Sequence, residues 1–291
     1  MSVLDRSRFG AILRVFSKSP EQVGRNIEQV LAAAKAAEEL EIGERKVFSK
    51  ILILVAADLA YPDYDCGETL PTLLQALPRG SKIEAHAIER GDLFCGVLNY
   101  GMAKLARAGV DYGLVMSHGA KDYLRPDTME QLLKALEAGA RVTSIAIEEL
   151  SQSILEGRIA NTFAIWDIGA LQAVGGFDLR ASQPRKNDLT APYLRGWDPE
   201  EGDVYYPRAG VEEILPLIRL FQVYGPCIAP VVPAGEALWQ EPDPVTDPEG
   251  WVRSRNKLGT KLARQLALAA PECVDLPSFL MGGVMRQYRT F

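Results

Sequence analysis

The chain has 291 residues, 47% apolar and 24% charged, the balance of a globular protein with one large domain or two small ones. Its formal net charge of −6 gives no electrostatic reason to expect a nucleic-acid partner. No apolar run approaches the ~20 residues that cross a bilayer and the N-terminus lacks a long apolar signal core, so a cytoplasmic protein without a transmembrane segment is expected.

Residues 11–16 (AILRVF) predict a short strand. Ser19-Pro20-Glu21-Gln22 then has the form of a helix start: serine can cap, proline suits the first helical position, and Gln22 can reach back as in a capping box. Val23, Ile27, Val30, Leu31 and Ala34 follow at helical spacing. Residues 51–57 (ILILVAA) are apolar without alternation, which suits a central parallel strand buried on both faces. A short helix is expected over 70–77, a strand with one more polar face over 83–88, a helix over 99–108 and a strand over 112–117. Met129, Leu132, Leu133 and Leu136 mark another amphipathic helix, and residues 142–147 another strand. Repeated units of this kind predict an α/β fold, a mostly parallel sheet covered by helices on both faces.

The pattern changes after about residue 180, where RASQPRKNDLTAPYLRGWDPEEGDVYYPRAG lacks periodicity and reads as a long irregular loop or lid. A helix is expected from about Val211, with Ile214, Leu217, Ile218 and Phe221 on one face. Residues 240–250 (QEPDPVTDPEG) form a proline-rich connector. A last helix over 257–270 has Leu258, Leu262 and Leu266 in register. The expected organisation is a main domain over 1–240 and a helical extension over 241–291 packed on the same domain.

Several common chemistries are excluded by absent motifs. There is no G-x-x-x-x-G-K-[ST], no G-x-G-x-x-G after the first strand and no G-x-S-x-G, which argues against P-loop, dinucleotide-binding and α/β-hydrolase sites. Cys66, Cys95, Cys227 and Cys273 are scattered and read as reduced thiols, and two histidines, His86 and His118, cannot build a multi-histidine metal centre. Chemistry must then rest on carboxylates, lysine and backbone groups.

Four segments in order carry a resemblance: residues 12–31, residues 51–74, residues 89–133, and the pair 161–180 and 209–225. The first holds a strand, a polar turn with Ser17, and a helix; the second a strand ending in an acidic turn. The third runs from a glycine loop through Asn99 to the turn SHGAKDYLRP, and the fourth holds Gly175-Gly176-Phe177-Asp178 and the helix that begins at Glu212-Glu213. Together they resemble the inverting glycosyltransferases of family 2, which use the GT-A nucleotide-sugar-binding fold. The resemblance covers most of residues 10–225.

That resemblance implies a nucleotide-sugar donor and a sugar or other hydroxyl acceptor. It places Glu213 on the family's general base, an acid one methylene longer than the usual aspartate, with Glu212 beside it. Read alone, the two acids would be solvated first-turn residues favoured at a helix N-terminus. Gly175, Gly176, Phe177 and Asp178 fall on the acceptor side, although such a tetrapeptide also serves as an ordinary turn. Ser17, Asp58 and Asn99 fall on the nucleotide side. A loop aspartate can instead bond its own backbone, and an asparagine at a helix start can be an N-cap.

Within SHGAKDYLRP the family carries two aspartates that hold Mg²⁺ or Mn²⁺ against the diphosphate. Aligning Leu124-Arg125-Pro126 on the family's Leu-x-Pro places Gly119 and Lys121 at those positions, with Asp122 just after. The family's downstream histidine is missing too, with Glu236 and Glu241 as the nearby acids. Three readings stand. Lys121 replaces the cation and, with Asp122 beside it, faces the diphosphate; Asp122 with Glu236 binds a metal; or catalysis is lost and the domain binds a nucleotide sugar or supports a partner. A nucleotidyltransferase is disfavoured, because no early glycine-rich basic signature is present.

Overall fold

The computed structural model describes residues 3–17, 19–55, 65–88, 93–146, 159, 161–181, 193–198, 202–207, 211–232, 243–246, 248, 251–252, 261–272 and 275–289. A turn of helix α1 (Val3–Arg6) precedes strand β1 (Phe9–Val15) and helix α2 (Pro20–Glu39). The short ribbon β2 (Glu41–Ile42) and β3 (Arg45–Lys46) leads to β4 (Phe48–Val55), α3 (Thr69–Ala76), β5 (Ile83–Ala87), α4 (Leu93–Arg107) and β6 (Tyr112–Met116). Next come α5 (Pro126–Glu137), β7 (Val142–Ile145), β8 (Phe163–Asp167) and α6 (Ile168–Ala173). The chain continues through β9 (Tyr193–Asp198), β10 (Gly202–Pro207), α7 (Ile214–Tyr224), β11 (Ile228–Val231), α8 (Lys261–Ala269) and α9 (Leu276–Gly283).

Seven strands form the main sheet in the order β11-β7-β8-β6-β1-β4-β5. Every neighbouring pair is parallel except the two made by β8, which runs in reverse. Side chains alternate across the sheet, so one strand feeds two cores. Ala11, Leu13 and Val15 enter one core with Ile27 and Val30 of α2 and Met129 and Leu132 of α5. Ile12 enters the other with Leu98 of α4, Leu171 of α6, Ile218 of α7 and Leu280 of α9. Apolar residues on both faces of β1 and β4 therefore require helices on both sides. The α/β class expected from the sequence, a mostly parallel sheet covered by helices on both faces, is present.

Close packing of α4 depends on Gly101. A Cβ there would lie 2.8 Å from the Cδ1 atoms of both Ile12 and Leu54, so the helix could not sit this near β1 and β4.

Several expectations need correction. Residues 180–210 are not wholly irregular, because β9 and β10 pair antiparallel across Tyr193–Asp198 and Gly202–Pro207. Ser19 stands at the N-cap of α2 with proline in the first turn, but its side chain makes no capping bond. Its hydroxyl goes instead to Glu21, whose carboxyl it holds below the usual range. In α8 the apolar register is rotated from the one expected: Leu266 is 39% exposed, whereas Gln265, Leu268 and Ala269 are buried. Leu258 lies outside the described residues. Among the described residues, no helix is long and apolar enough to cross a membrane.

Candidate functional site

Parallel strands bring their carboxyl ends to one edge of the sheet, and the reversed β8 brings its amino end to the same edge, with Phe163 opposite Met116. Helices between parallel strands begin there, so α2, α3, α4, α5 and α7 all point their amino ends at it. Ser17, the turn after β6 and Glu212-Glu213 before α7 share this edge.

Ser17 is fully buried and committed to architecture. Its N–H donates to Asp65 Oδ1 at 2.9 Å, its carbonyl accepts from the Cys66 N–H at 2.7 Å, and its hydroxyl accepts from Asn26 Nδ2 at 3.2 Å. Asp65 also accepts from the Thr69 hydroxyl at 2.5 Å and the Gly67 N–H at 3.0 Å, which fixes the entry to α3 against the end of β1. Sequence reasoning chose Asp58 in this acidic turn and passed over Asp65. Asp58 lies outside the described residues, as do Glu236 and Glu241.

The turn after β6 is a 3₁₀ helix over His118–Tyr123, with Ser117 Oγ accepting from the Gly119 N–H at 3.2 Å. Ala120 and Tyr123 face inward, and Tyr123 packs on Phe163 with ring centroids 6.0 Å apart. Lys121 and Asp122 face outward and are exposed. The turn packs on α2. Burial lowers the pKa of the His118 imidazole, and the nearby Arg25 guanidinium lowers it further. Within the turn Asp122 is the one carboxylate and Lys121 stands beside it, so the turn by itself is a poor donor set for a divalent cation. Among the described residues, no group of three metal-ligating side chains occurs.

Asn99 sits two turns inside α4 rather than at its start. Its amide is not an N-cap; it clamps the backbone of Phe177. Asn99 Nδ2 donates to the Phe177 carbonyl and the Phe177 N–H donates to Asn99 Oδ1, both at 2.8 Å. Gly176 permits this approach: its φ is +73°, and a Cβ would lie 2.6 Å from Asn99 Oδ1. Phe177 then seats edge-on against Trp166, ring centroids 5.0 Å apart.

Asp178 is likewise engaged. Its carboxylate accepts from the Arg180 backbone at 2.9 Å, the Arg180 side chain at 3.0 and 2.9 Å, and Arg219 Nη2 at 2.7 Å. Burial pushes the Asp178 carboxyl up, but these hydrogen bonds outweigh it and hold the group at about 2. Glu272 closes the network, receiving Arg180 at 2.6 Å and Arg219 at 2.8 and 3.2 Å. Arg180, Arg219 and Glu272 are not among the residues that the sequence singles out.

Glu212 and Glu213 are buried, 6% and 2% exposed, so they are not solvated first-turn acids. Glu213 holds the N-cap position of α7 without a side-chain cap, and its Oε1 accepts from Gln265 Nε2 at 3.4 Å. Carboxylates buried this deeply are rare without a partner or a task. The site residues therefore do not form one bonded cluster. Asn99, Gly176, Phe177, Asp178 and Arg219 join α4 to α7, while Lys121 and Asp122 stand on a separate turn of the same edge.

No protein-family model matches the chain. No curated protein matches it in sequence. Among solved structures, glucosyl-3-phosphoglycerate synthase of Mycobacterium tuberculosis with Mn²⁺, UDP-glucose and phosphoglyceric acid is similar at 11% identity, over 90% of this chain and 80% of that one, TM-score 0.43. A further crystal structure of the same enzyme is 13% identical over 89% and 80%, TM-score 0.43. The 4-diphosphocytidyl-2C-methyl-D-erythritol synthase of Anaerococcus prevotii is 10% identical over 64% and 80%, TM-score 0.39. TM-scores this low carry no argument, and the chain's own residues must carry the reading.

Proposed function

We propose that the chain is a GT-A-type nucleotide-sugar-binding protein of the glycosyltransferase family 2 kind, which transfers a sugar to a hydroxyl acceptor with inversion. The observation that carries this reading is the buried acid pair Glu212-Glu213 at the amino end of α7, on the carboxyl edge of a mostly parallel sheet. A carboxylate held there can take a proton from an acceptor hydroxyl. In the proposed step Glu213 accepts that proton, the acceptor oxygen forms the bond to the anomeric carbon, and the nucleoside diphosphate leaves with the electron pair. Lys121, exposed on a separate turn of the same edge, offsets the charge that develops on the diphosphate. Ser17, Asp58 and Asp122 fall on the donor side. Asn99 and Asp178 act through architecture, since their polar atoms are engaged by Phe177, Arg180 and Arg219. The 1–240 unit would carry the site, with 241–291 packed against it.

The test is transfer or donor hydrolysis across UDP-, GDP- and CDP-sugars, with and without EDTA. Turnover that persists in EDTA and falls at least about a hundredfold in Glu213→Gln is expected for a lost general base. Strong metal dependence that survives Lys121→Ala would sink the lysine-for-cation proposal.

A second reading, a catalytically silent nucleotide-sugar-binding or partner-supporting module, is favoured by one observation: Gly119 and Lys121 replace both carboxylates. Calorimetry with UDP, GDP and CDP separates the two, because binding without turnover of any nucleotide sugar selects the second.

A further inference from the structure

Among the described residues of the C-terminal part, Gln265 is a polar side chain that meets Glu213, and its environment is unusual. Gln265 on α8 is fully buried, yet it lies among apolar neighbours such as Leu268 and Ala269 on the buried face of that helix. Its Nε2 donates to Glu213 Oε1 at 3.4 Å, while its Oε1 has no hydrogen-bond partner. A buried amide with an unmet acceptor is unfavourable in a helix that only needs to pack. A leucine or methionine would fill the same space without that cost.

The surroundings point the same way. α8 packs both on α7 and on the β9–β10 hairpin. The two helices are joined a second time ~9 Å further along, where Arg219 of α7 meets Glu272 just beyond α8. The Arg219–Glu272 pair fixes the spacing of the helices, so the Gln265 amide is delivered to Glu213 from a framed support rather than from a loop.

We propose that Gln265 is a positioning residue for Glu213: its amide holds the carboxylate in one rotamer at the carboxyl edge. This rests on the reading of Glu213 as the base. When Glu213 has taken the acceptor's proton, a half-turn of the Gln265 amide presents Oε1 to the new O–H, so one side chain serves both protonation states. The unmet acceptor is then the feature that lets Gln265 follow the proton.

Two measurements on the full chain test the pairing. By ¹⁵N NMR, the Gln265 side-chain amide, assigned with Gln265→Met, is expected to exchange slowly with solvent and to move when Glu213→Gln is introduced. By kinetics, Gln265→Met and Gln265→Asn are expected to lower kcat about tenfold with the acceptor KM within about twofold, as for a displaced group that acts only in the transition state. Whichever of the two variants keeps the wild-type circular dichroism decides the kinetic arm. A Gln265 amide that exchanges freely or ignores Glu213→Gln overturns the pairing, and so does an unchanged kcat. Absence of transfer by the wild type would defeat the catalytic reading of Glu213 alone, because the amide signal still reports whether Gln265 holds that carboxylate.

Discussion

Two turns of this molecule resemble glycosyltransferase signatures, and they behave in opposite ways. The turn at Gly175–Asp178 keeps its signature residues, and nearly every polar atom in it is spent on holding the fold together. Asn99 takes both backbone groups of Phe177, and Asp178 takes two arginines. The turn over His118–Tyr123 carries Gly119 and Lys121 where the resemblance would put carboxylates, and it presents Lys121 and Asp122 outward on the edge where ligands of parallel sheets bind. The first turn is thus a structural joint, while the second is an exposed surface that carries an ammonium beside a carboxylate. Substitutions at the two turns should separate along that line, the first in stability and the second in ligand affinity.

The largest expected effect is Gly176→Ala. A Cβ forces a residue out of φ +73° and into Asn99 Oδ1, 2.6 Å away. Left-handed strain of about 1–2 kcal/mol adds to two lost hydrogen bonds at about 1 kcal/mol each, so a loss of about 3–4 kcal/mol of unfolding free energy is expected, read as a lower urea midpoint. A midpoint within error of wild type would show that the clamp does not hold the turn. Next is Asn99→Asp, which keeps the acceptor for the Phe177 N–H but sets an oxygen against the Phe177 carbonyl. A loss of about 2–3 kcal/mol is expected, because a buried acceptor is left facing another acceptor.

Arg219→Met should cost less, about 1–2 kcal/mol, since the ion network is part-exposed and Arg180 still serves both acids. Its pH dependence is specific. The Asp178 carboxyl is depressed in the folded protein to about 2, so its contribution is fully present above the ordinary carboxylate pKa and is lost as pH falls through about 2. The stability gap between wild type and Arg219→Met should therefore narrow as the solution is acidified from pH ~4 to ~2. A gap constant over that window would remove Asp178 from the account.

How much of this was legible in the sequence follows from what each signal measures. The strand β4 is readable because burial on both faces leaves an unbroken apolar run from Ile51 to Val55. The hairpin β9–β10 is not, since WDPEEGDVYY alternates poorly and its pairing partner, not its periodicity, makes it a strand. The register of α8 differs from the expected one: leucines at helical spacing suggest one face, whereas Gln265 takes a buried position with Leu268 and Ala269 and has Glu213 across from it. Asn99 was placed at a helix start because its motif leads a helix in the family it resembles. Its actual task depends on Phe177, 78 residues away, a contact that no local pattern encodes.

The smallest stability effect and the sharpest test of the comparison is Lys121→Ala. Lys121 is exposed on a 3₁₀ turn anchored by Ala120 and Tyr123, which remain in place, so unfolding free energy should change by no more than about 0.5 kcal/mol. Nucleoside diphosphate affinity should respond differently. One ammonium against a diphosphate in a partly screened site is worth about 1–2 kcal/mol, so calorimetry should show a roughly tenfold weaker Kd that approaches wild type as salt is raised. Because the side chain is removed from the surface, a change in stability cannot be the cause of lost binding. If Lys121→Ala binds UDP, GDP and CDP as wild type does, the outward turn is an ordinary solvated face. The ligand edge would then have to be sought around Ser17 and the entry to α3, where Asp65 already ties two backbone segments together.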